Sequence, residues 1–212
     1  GTFIDKAWVY VFFAVSGFLA YELGARVADA PLLLAAAFLV GWVTSDFTSG
    51  LVHWAGDTWG TTDWPIVGQK LIRPFREHHF DPKSITFHDF YDINGTNCAI
   101  CMPQLIWCLL VDIPAASPTL LFFVAMIWSL SFWTFATNQI HMWAHRSENP
   151  GWVRLLQQAW IFLPPSEHDK HHHAPFSKYY CITSGWLNPV LYKVGFYRGF
   201  ERVITALTGA VA

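Results

Sequence analysis

Four long apolar stretches dominate the chain, and polar side chains gather where these stretches end. The stretches run over about 8–25, 31–52, 98–113 and 119–138. A helix of about 20 predominantly apolar residues is long enough to cross a bilayer. The pattern therefore predicts an all-α integral membrane bundle of about four transmembrane helices, of which the first and third could instead be re-entrant.

The second and fourth apolar helices are predicted to extend past the bilayer. Their helical pattern continues to Asp57 and to His145, which gives each helix about 27 residues and a length of about 40 Å. The hydrocarbon core is only about 30 Å thick. With four alternating spans, both projecting ends lie on one side of the membrane, together with the 58–97 loop and all residues after 138. All ten His residues then fall on that side.

Composition supports a membrane protein, and charge gives it an orientation. Hydrophobic residues make up 53% of the chain and charged residues 13%, whereas soluble domains contain about 25% charged residues. Of the 13 Lys and Arg residues, only Arg26 lies on the side opposite the histidines. The positive-inside rule therefore predicts that the His-bearing side is cytoplasmic. The segments 151–163 and 196–207 are expected to lie in the membrane interface.

Several classes of protein are excluded by the same composition. A net charge of −2 gives no electrostatic footprint for nucleic acid, and four Cys in 212 residues form no disulfide framework. No small-residue cleavage site follows the first apolar run, so no cleavable signal peptide is expected. Phosphate-binding, dinucleotide-binding and serine-hydrolase motifs are absent from the sequence. The chemistry of the chain is therefore concentrated in its histidines.

Two pairs of polar residues have the spacing of metal ligands on a helix. His53 and Asp57 are four residues apart, as are His141 and His145, so each pair shares one helix face. Met142 stands where a zinc metalloprotease would need its glutamate base, which excludes that class. Each pair can therefore contribute two ligands to a metal.

The remaining candidate ligands lie in the polar loop and near the C-terminus: His78, His79, His88, His168, His171 and His172. The last three form an H-x-x-H-H array, which would present three imidazoles to one centre if it were helical. A single histidine is usually structural, but four clusters on one side of the membrane favour metal binding. A catalytic zinc takes about three protein ligands, so this number of ligands indicates two metals. Imidazole suits zinc, copper, iron and nickel alike.

Polar residues beside the candidate ligands could orient the imidazoles or could be ordinary caps and solvated residues. They are Asp46, Glu77, Asp89, Asn138 and Glu167. No catalytic residue beyond the metal ligands is indicated. Cys98 and Cys101 begin an apolar stretch, where packing is a better interpretation than redox or zinc chemistry.

Six stretches of this sequence together match a known family: 50–60, 76–79, 85–90 with 94–95, 138–141, 168–172 and 180–188. From about residue 40 to its end, the chain resembles the membrane lipid desaturases typified by plasmanylethanolamine desaturase. The resemblance implies one domain over 1–212, in which a four-helix membrane bundle lies under a cytoplasmic cap. The cap comprises 53–97 and 139–212 and holds two iron ions.

Carried over residue by residue, the resemblance implies ten metal ligands: His53, Asp57, His78, His79, His88, His141, His145, His168, His171 and His172. Two positions depart from the family pattern. Phe75 stands where a complete H-x-x-H-H motif would begin, so His78 and His79 need a partner from elsewhere, for which His88 is the candidate. Glu167 occupies a position that is His in some animal relatives.

The activity implied by the resemblance is O₂-dependent desaturation of an ether phospholipid, in which a 1-O-alkyl chain becomes a 1-O-alk-1′-enyl chain. An external electron donor is needed, cytochrome b5 in a eukaryote or a ferredoxin-like carrier in a bacterium. The membrane would be the endoplasmic reticulum or the bacterial inner membrane, respectively. The residues His88-Asp89 and Asn94-Gly95 favour this branch over the plastid palmitate desaturases.

Other functions remain open from the sequence. An acyl-lipid desaturase or a lipid hydroxylase could use the same di-iron scaffold, because the ligands alone do not decide between these reactions. A zinc membrane hydrolase would leave most of the histidines unexplained. A non-enzymatic membrane cytochrome would place its axial histidines within the spans, whereas the clusters here follow the span ends.

Overall fold

The structure is a computed structural model that describes residues 1–211. Within this range the chain forms nine α-helices and no β-strand, which confirms the all-α fold class. The helices are α1 (Phe3–Ala25), α2 (Pro31–Thr58), α3 (Arg73–Phe80), α4 (Phe90–Leu109), α5 (Pro118–His145), α6 (Gly151–Gln158), α7 (Pro165–His168), α8 (Asn188–Lys193) and α9 (Phe196–Thr208). A π-helical turn at Gly68–Ile72 and a 3₁₀ turn at Ser84–Phe87 flank α3.

Among the described residues, three helices are long and apolar enough to cross a membrane, namely α1, α2 and α5. The protein is therefore an integral membrane protein. Helices α2 and α5 each have 28 residues, which gives lengths of about 42 Å. The predicted extension of both helices beyond a 30 Å hydrocarbon core thus agrees with the structure.

The third predicted span has different bounds in the structure. Helix α4 begins at Phe90 rather than at residue 98, because Asp89 caps it by accepting hydrogen bonds from the N–H groups of Tyr91 and Asp92. The helix ends at Leu109 rather than near residue 113. Asp112 and Pro114 follow directly, and proline has no N–H to continue a helix.

The described chain divides into two compact units, and the first comprises 1–45 and 88–140. Here α1 and α4 lie side by side with the same direction. The N-terminal ammonium group pairs with Asp89 at the start of α4. At the other end, the Arg26 guanidinium donates to the carbonyl of Ile113, at 2.6 Å. Phe12, Leu19 and other apolar side chains fill this unit's core.

The second unit comprises 46–87 and the described residues from 141 onward. It contains the polar ends of α2 and α5 together with α3 and α6–α9. A buried Asp46 carboxylate accepts hydrogen bonds from the backbone N–H groups of Ser184, Gly185 and Leu187, at 2.7–3.2 Å. These bonds satisfy a buried charge and fix the 181–188 segment against α2.

Candidate metal centre

Four short segments of the second unit carry the candidate ligands. The end of α2 supplies His53 and Asp57, and the end of α5 supplies His141 and His145. Helix α3 supplies the two histidines of its last turn, His78 and His79. The last residue of α7 and the turn after it supply the remaining three, His168, His171 and His172. These nine side chains form two groups, each with its ligand atoms within 4.8 Å of one another.

The first group is built around the carboxylate of Asp57. One of its oxygens, Oδ2, lies 3.4 Å from Nε2 of His53 and 3.5 Å from Nε2 of both His79 and His171. Ligand atoms that bind one ion at about 2.0–2.1 Å are separated by about 3.0–3.4 Å. The spacing of these four atoms therefore matches a shared metal ion.

The second group consists of five histidines: His78, His141, His145, His168 and His172. Nε2 of His168 lies 2.7 Å from Nε2 of His141 and 3.0 Å from Nε2 of His172. Nε2 of His145 is 3.3 Å from that of His141. These ring nitrogens converge at separations of 2.7–3.3 Å, and the group contains no carboxylate.

Neighbouring histidines in the sequence belong to different groups. His78 and His172 lie in the five-histidine group, whereas His79 and His171 lie with Asp57. Successive residues of a helix point about 100° apart, so His78 and His79 face two directions. The H-x-x-H-H array was expected to present three imidazoles to one centre if helical. Helix α7 ends at His168, and the following turn sends His171 to the other group.

Backbone carbonyl groups orient two of the imidazoles. Nδ1 of His53 donates to the carbonyl of Tyr180 at 3.0 Å, and Nδ1 of His171 donates to the carbonyl of Lys178 at 2.8 Å. Each bond fixes the proton on Nδ1 and leaves the Nε2 lone pair directed into the first group. Carbonyl groups have no signature in a sequence, so the predicted ligand set gave no indication of this role.

The side chains suggested as orienting groups have other partners. Asp46 binds backbone N–H groups, Glu77 pairs with Arg73, Asp89 caps α4, Asn138 donates to the Ile93 carbonyl and Glu167 pairs with Lys170. Within the described chain, these five side chains form their hydrogen bonds and ion pairs with groups other than the imidazoles of the two metal-ligand groups. The orienting role suggested from the sequence therefore stays a prediction for these residues.

His88 stands apart from the other candidates. The structure does not bring it into either group, and its side chain is 54% exposed with Nδ1 2.5 Å from Asp92. The partners of His78 and His79 in the two groups come instead from α2, α5, α7 and the turn after α7. Phe75, at the position where a complete H-x-x-H-H motif would begin, packs its ring 4.9 Å from that of His53.

The buried ligand atoms have unused hydrogen-bonding capacity. Nε2 of His53, both carboxylate oxygens of Asp57 and both ring nitrogens of His78 are buried without a hydrogen-bond partner in the described structure. Burial lowers the pKa of His78 to about 2 and that of His171 to about 3. Neutral imidazoles carry the lone pairs that metals bind. The residues present therefore fit two metal ions.

Comparison with known proteins gives a consistent result. A family model described as the lipid desaturase domain matches residues 42–212. The chain is 44% identical to plasmanylethanolamine desaturase of Myxococcus xanthus, over 97% of this chain and 73% of the relative. It is 43% identical to plasmanylethanolamine desaturase 1 of Mus musculus, over 87% and 69%. Fatty acid desaturase 4-like 1, chloroplastic, of Arabidopsis thaliana is 31% identical, over 80% and 56%. No solved structure matches significantly.

Proposed function

The chain belongs to the lipid desaturase domain family, and we propose that it is a plasmanylethanolamine desaturase. The proposed reaction converts the 1-O-alkyl chain of an ether phospholipid into the 1-O-alk-1′-enyl chain of a plasmalogen. As a desaturase of this family, the protein is an oxidoreductase that acts on membrane lipid. The observation that carries the proposal is the pair of metal-ligand groups in a chain so similar to two such enzymes.

Two iron ions are the cofactors that we propose for the two groups. His53, Asp57, His79 and His171 would hold one ion, and the five-histidine group would hold the other. Bound iron supplies the oxidising power to remove hydrogen from an unactivated methylene, with O₂ as the oxidant. Because His88 and the five orienting candidates lie outside both groups, they have no part in this ligand set.

The protein's own residues have three tasks in this reaction. The ligand side chains hold the metals at the polar ends of α2 and α5, next to the spanning segments. The carbonyl groups of Lys178 and Tyr180 keep two imidazoles in the metal-binding tautomer. The burial of His53, His168 and His171 keeps bulk water away from the centre, which limits side reactions of a strong oxidant.

Electron balance requires a partner. Reduction of O₂ to two waters takes four electrons, and formation of one C=C bond supplies two of them. An external one-electron carrier, cytochrome b5 or a ferredoxin-like protein, would supply the other two.

We place the His-rich side in the cytoplasm on the distribution of Lys and Arg. The membrane would be the endoplasmic reticulum in a eukaryote or the inner membrane in a bacterium.

The proposal is tested by metal analysis of the purified protein together with a lipid assay. The assay contains a 1-O-alkyl phosphatidylethanolamine, O₂ and a reduced electron carrier. We expect two irons per chain and an acid-labile product that is two hydrogens lighter than the substrate. A product heavier by one oxygen would show a hydroxylase, and desaturation confined to an acyl chain would show an acyl-lipid desaturase. One zinc with no need for O₂ would contradict the proposal.

A further inference from the structure

A cleft of about 390 Å³ opens beside the candidate metal centre, in the same compact unit. Three cationic residues line it: Lys178, Lys193 and Arg198. The rings of Tyr179 and Tyr192, with centroids 5.7 Å apart, form part of its wall. Its lining contains no carboxylate, and its volume is in the range of about 300–1,000 Å³ typical of small-ligand sites.

The three cations are available to an external anion. Within residues 1–211, no ion pair involves Lys178, Lys193 or Arg198, whereas Arg73 and Lys170 of the same unit are paired with carboxylates. Like charges that line one cleft without a counter-ion repel one another. An anion in the cleft would relieve that repulsion through charge-assisted hydrogen bonds.

The cleft and the metal centre share a short segment of backbone. Lys178 lines the cleft, and its carbonyl holds the imidazole of His171. Two residues later, the carbonyl of Tyr180 holds the imidazole of His53. A ligand bound by the Lys178 side chain therefore lies on the segment that positions two of the proposed metal ligands.

The rim of the cleft is suited to the membrane interface. Val190 of helix α8 and Val194, which directly follows that helix, are 57% and 68% accessible. Helix α9 packs Phe196 and Ile204 against the unit's core but leaves Phe200, Val203 and Leu207 exposed. Amphipathic helices of this kind lie at the headgroup level of a bilayer. That is also the level of phospholipid phosphates.

We propose that this cleft binds the phosphate of the phospholipid substrate through Lys178, Lys193 and Arg198. The inference rests on the proposed function, because it assigns the headgroup of that substrate. In a 1-O-alkyl phospholipid, six bonds separate the phosphorus from the carbon next to the ether oxygen, a span of roughly 7–8 Å. A substrate that reacts at this carbon must therefore have its phosphate close to the metal centre.

The test measures lipid binding by the purified full chain in detergent, separately from turnover. Titration calorimetry gives the Kd for a short-chain 1-O-alkyl phosphatidylethanolamine, for the same ether lipid without its phosphate headgroup, and for inorganic phosphate. We expect the K193Q and R198Q variants each to bind the phospholipid about tenfold more weakly, which corresponds to about 1.4 kcal/mol. Binding of the phosphate-free lipid is expected to stay within twofold of the original chain.

Control variants guard against a general loss of structure. K193R keeps the charge and is expected to bind the phospholipid within about twofold of the original chain. R202Q removes an exposed cation from the next turn of α9, outside the cleft lining, and is expected to leave binding unchanged. Iron content is measured for each variant, since the three cations are not metal ligands and the content should not change.

Three results would overturn the inference. Unchanged phospholipid affinity in both K193Q and R198Q is the first. Weaker binding of inorganic phosphate alone, without a change for the phospholipid, would show a free-anion site. A raised KM for an acidic electron carrier, with lipid binding unchanged, would show a protein docking surface. If the original chain binds the phospholipid through its phosphate but makes no vinyl ether, the proposed function fails while the cleft assignment stands.

Discussion

His172 and His173 are adjacent residues with different surroundings, and they provide a matched test of the ligand assignment. His172 lies in the five-histidine group, with Nε2 3.0 Å from that of His168. The side chain of His173 is 67% exposed, and its Nδ1 donates to the carbonyl of Asp169. Alanine at position 172 removes a proposed ligand, whereas alanine at 173 removes a surface imidazole.

We therefore expect H172A to lose product and iron, and H173A to retain both. Loss of an outer partner of a metal ligand typically costs about 10–100-fold, so loss of a ligand itself is expected to cost at least 100-fold in vinyl ether formation. The measurements are product by mass spectrometry and iron per chain. Equal activity in the two variants would refute the assignment of His172.

Asp57 provides a second test, because it is the one carboxylate in the two described groups. An asparagine at this position keeps the shape but removes the charge that faces three Nε2 atoms. We expect D57N to bind about one iron instead of two, since the five-histidine group keeps all its ligands. The control is D169N, which changes a carboxylate that is 70% exposed. Two irons retained in D57N would contradict a ligand role.

At the scale of single residues, the spacing of histidines in the sequence predicted the candidate ligands, but it did not predict which of the two groups each histidine joins. The i, i+4 pairs on α2 and α5 each stay within one group, because residues four apart share a helix face. Adjacent residues such as His78 and His79 belong to different groups, because the local backbone points their side chains in different directions. The spacing of residues in the sequence does not predict this division. His88 lies in a polar stretch of sequence like the other candidate ligands. In the structure it directly precedes the Asp89 cap of α4, and its imidazole pairs with Asp92.

At the scale of elements, the close approach of α2 and α5 depends on Gly41. A Cβ atom at this position would lie 2.5 Å from the carbonyl oxygen of Met126 and 2.6 Å from Cβ of Ser129. Both helices pass through the first unit here, so neither backbone can move without disturbing its packing. Small residues at helix contacts in membranes permit this kind of approach.

We expect G41A to lower the thermal unfolding temperature of the detergent-solubilised protein by several degrees, since overpacking typically costs about 1–3 kcal/mol. The matched control is G17A in α1, where a Cβ would meet nothing within 4 Å. Because alanine favours helix by about 0.5–1 kcal/mol over glycine, G17A is expected to be neutral or stabilising. A fall of equal size in both variants would contradict the packing explanation.

Apolar periodicity predicted the long helices well and the polar segments poorly. The bounds of α2 and α5 follow from Pro31, Pro118 and the polar residues at their ends. The start of α4 depends on the Asp89 cap and on polar residues such as Asn94, which is buried and donates to Gln139. A hydropathy pattern assigns such polar residues to a loop, because it contains no information about the hydrogen-bond partners that allow them to be buried in a helix.

At the scale of the whole molecule, metal binding is expected to stabilise the folded chain. Five buried polar atoms of His53, Asp57 and His78 have no hydrogen-bond partner in the described structure. Each unsatisfied buried group costs about 1–3 kcal/mol, and metal ions would bind the Asp57 carboxylate and one ring nitrogen of each histidine. We expect chelation of the metals to lower the unfolding temperature by on the order of 10–20 °C, at about 2–4 °C per kcal/mol.

Scanning calorimetry before and after chelation measures this change, and added ferrous iron should reverse it. The D57N variant is the control: with one centre already weakened, chelation should lower its unfolding temperature by less. An unfolding temperature independent of metal would contradict two buried metal sites.

The contacts of α1 and α4 bear on the number of membrane crossings. Helix α1 is apolar enough to span, and α4 runs beside it in the same direction. Asp89 at the start of α4 pairs with the N-terminal ammonium of the chain, and Ile113 beyond its end accepts from Arg26 in the α1–α2 connection. The two helices therefore begin together and end together. If α1 crosses the bilayer, α4 crosses it as well.

A fourth crossing is also needed to place the histidines on one side. His53 near the end of α2 and His141 near the end of α5 have ring centroids 5.9 Å apart, so both helices end on the same face of the membrane. If both helices cross the bilayer, we expect the chain to return across it between them. Helix α4 has 20 residues, or about 30 Å at 1.5 Å per residue, which matches the hydrocarbon core.

This topology predicts which loops a membrane-impermeant thiol reagent reaches from each side. The four native cysteines are buried, so D29C, D112C, D81C and E148C can each report one exposed loop. We expect D29C and D112C to react from the outer side in sealed cells or right-side-out vesicles, and D81C and E148C only in inverted vesicles. Retained vinyl ether formation serves as the control for folding. Reaction of D112C together with D81C would instead make α4 re-entrant.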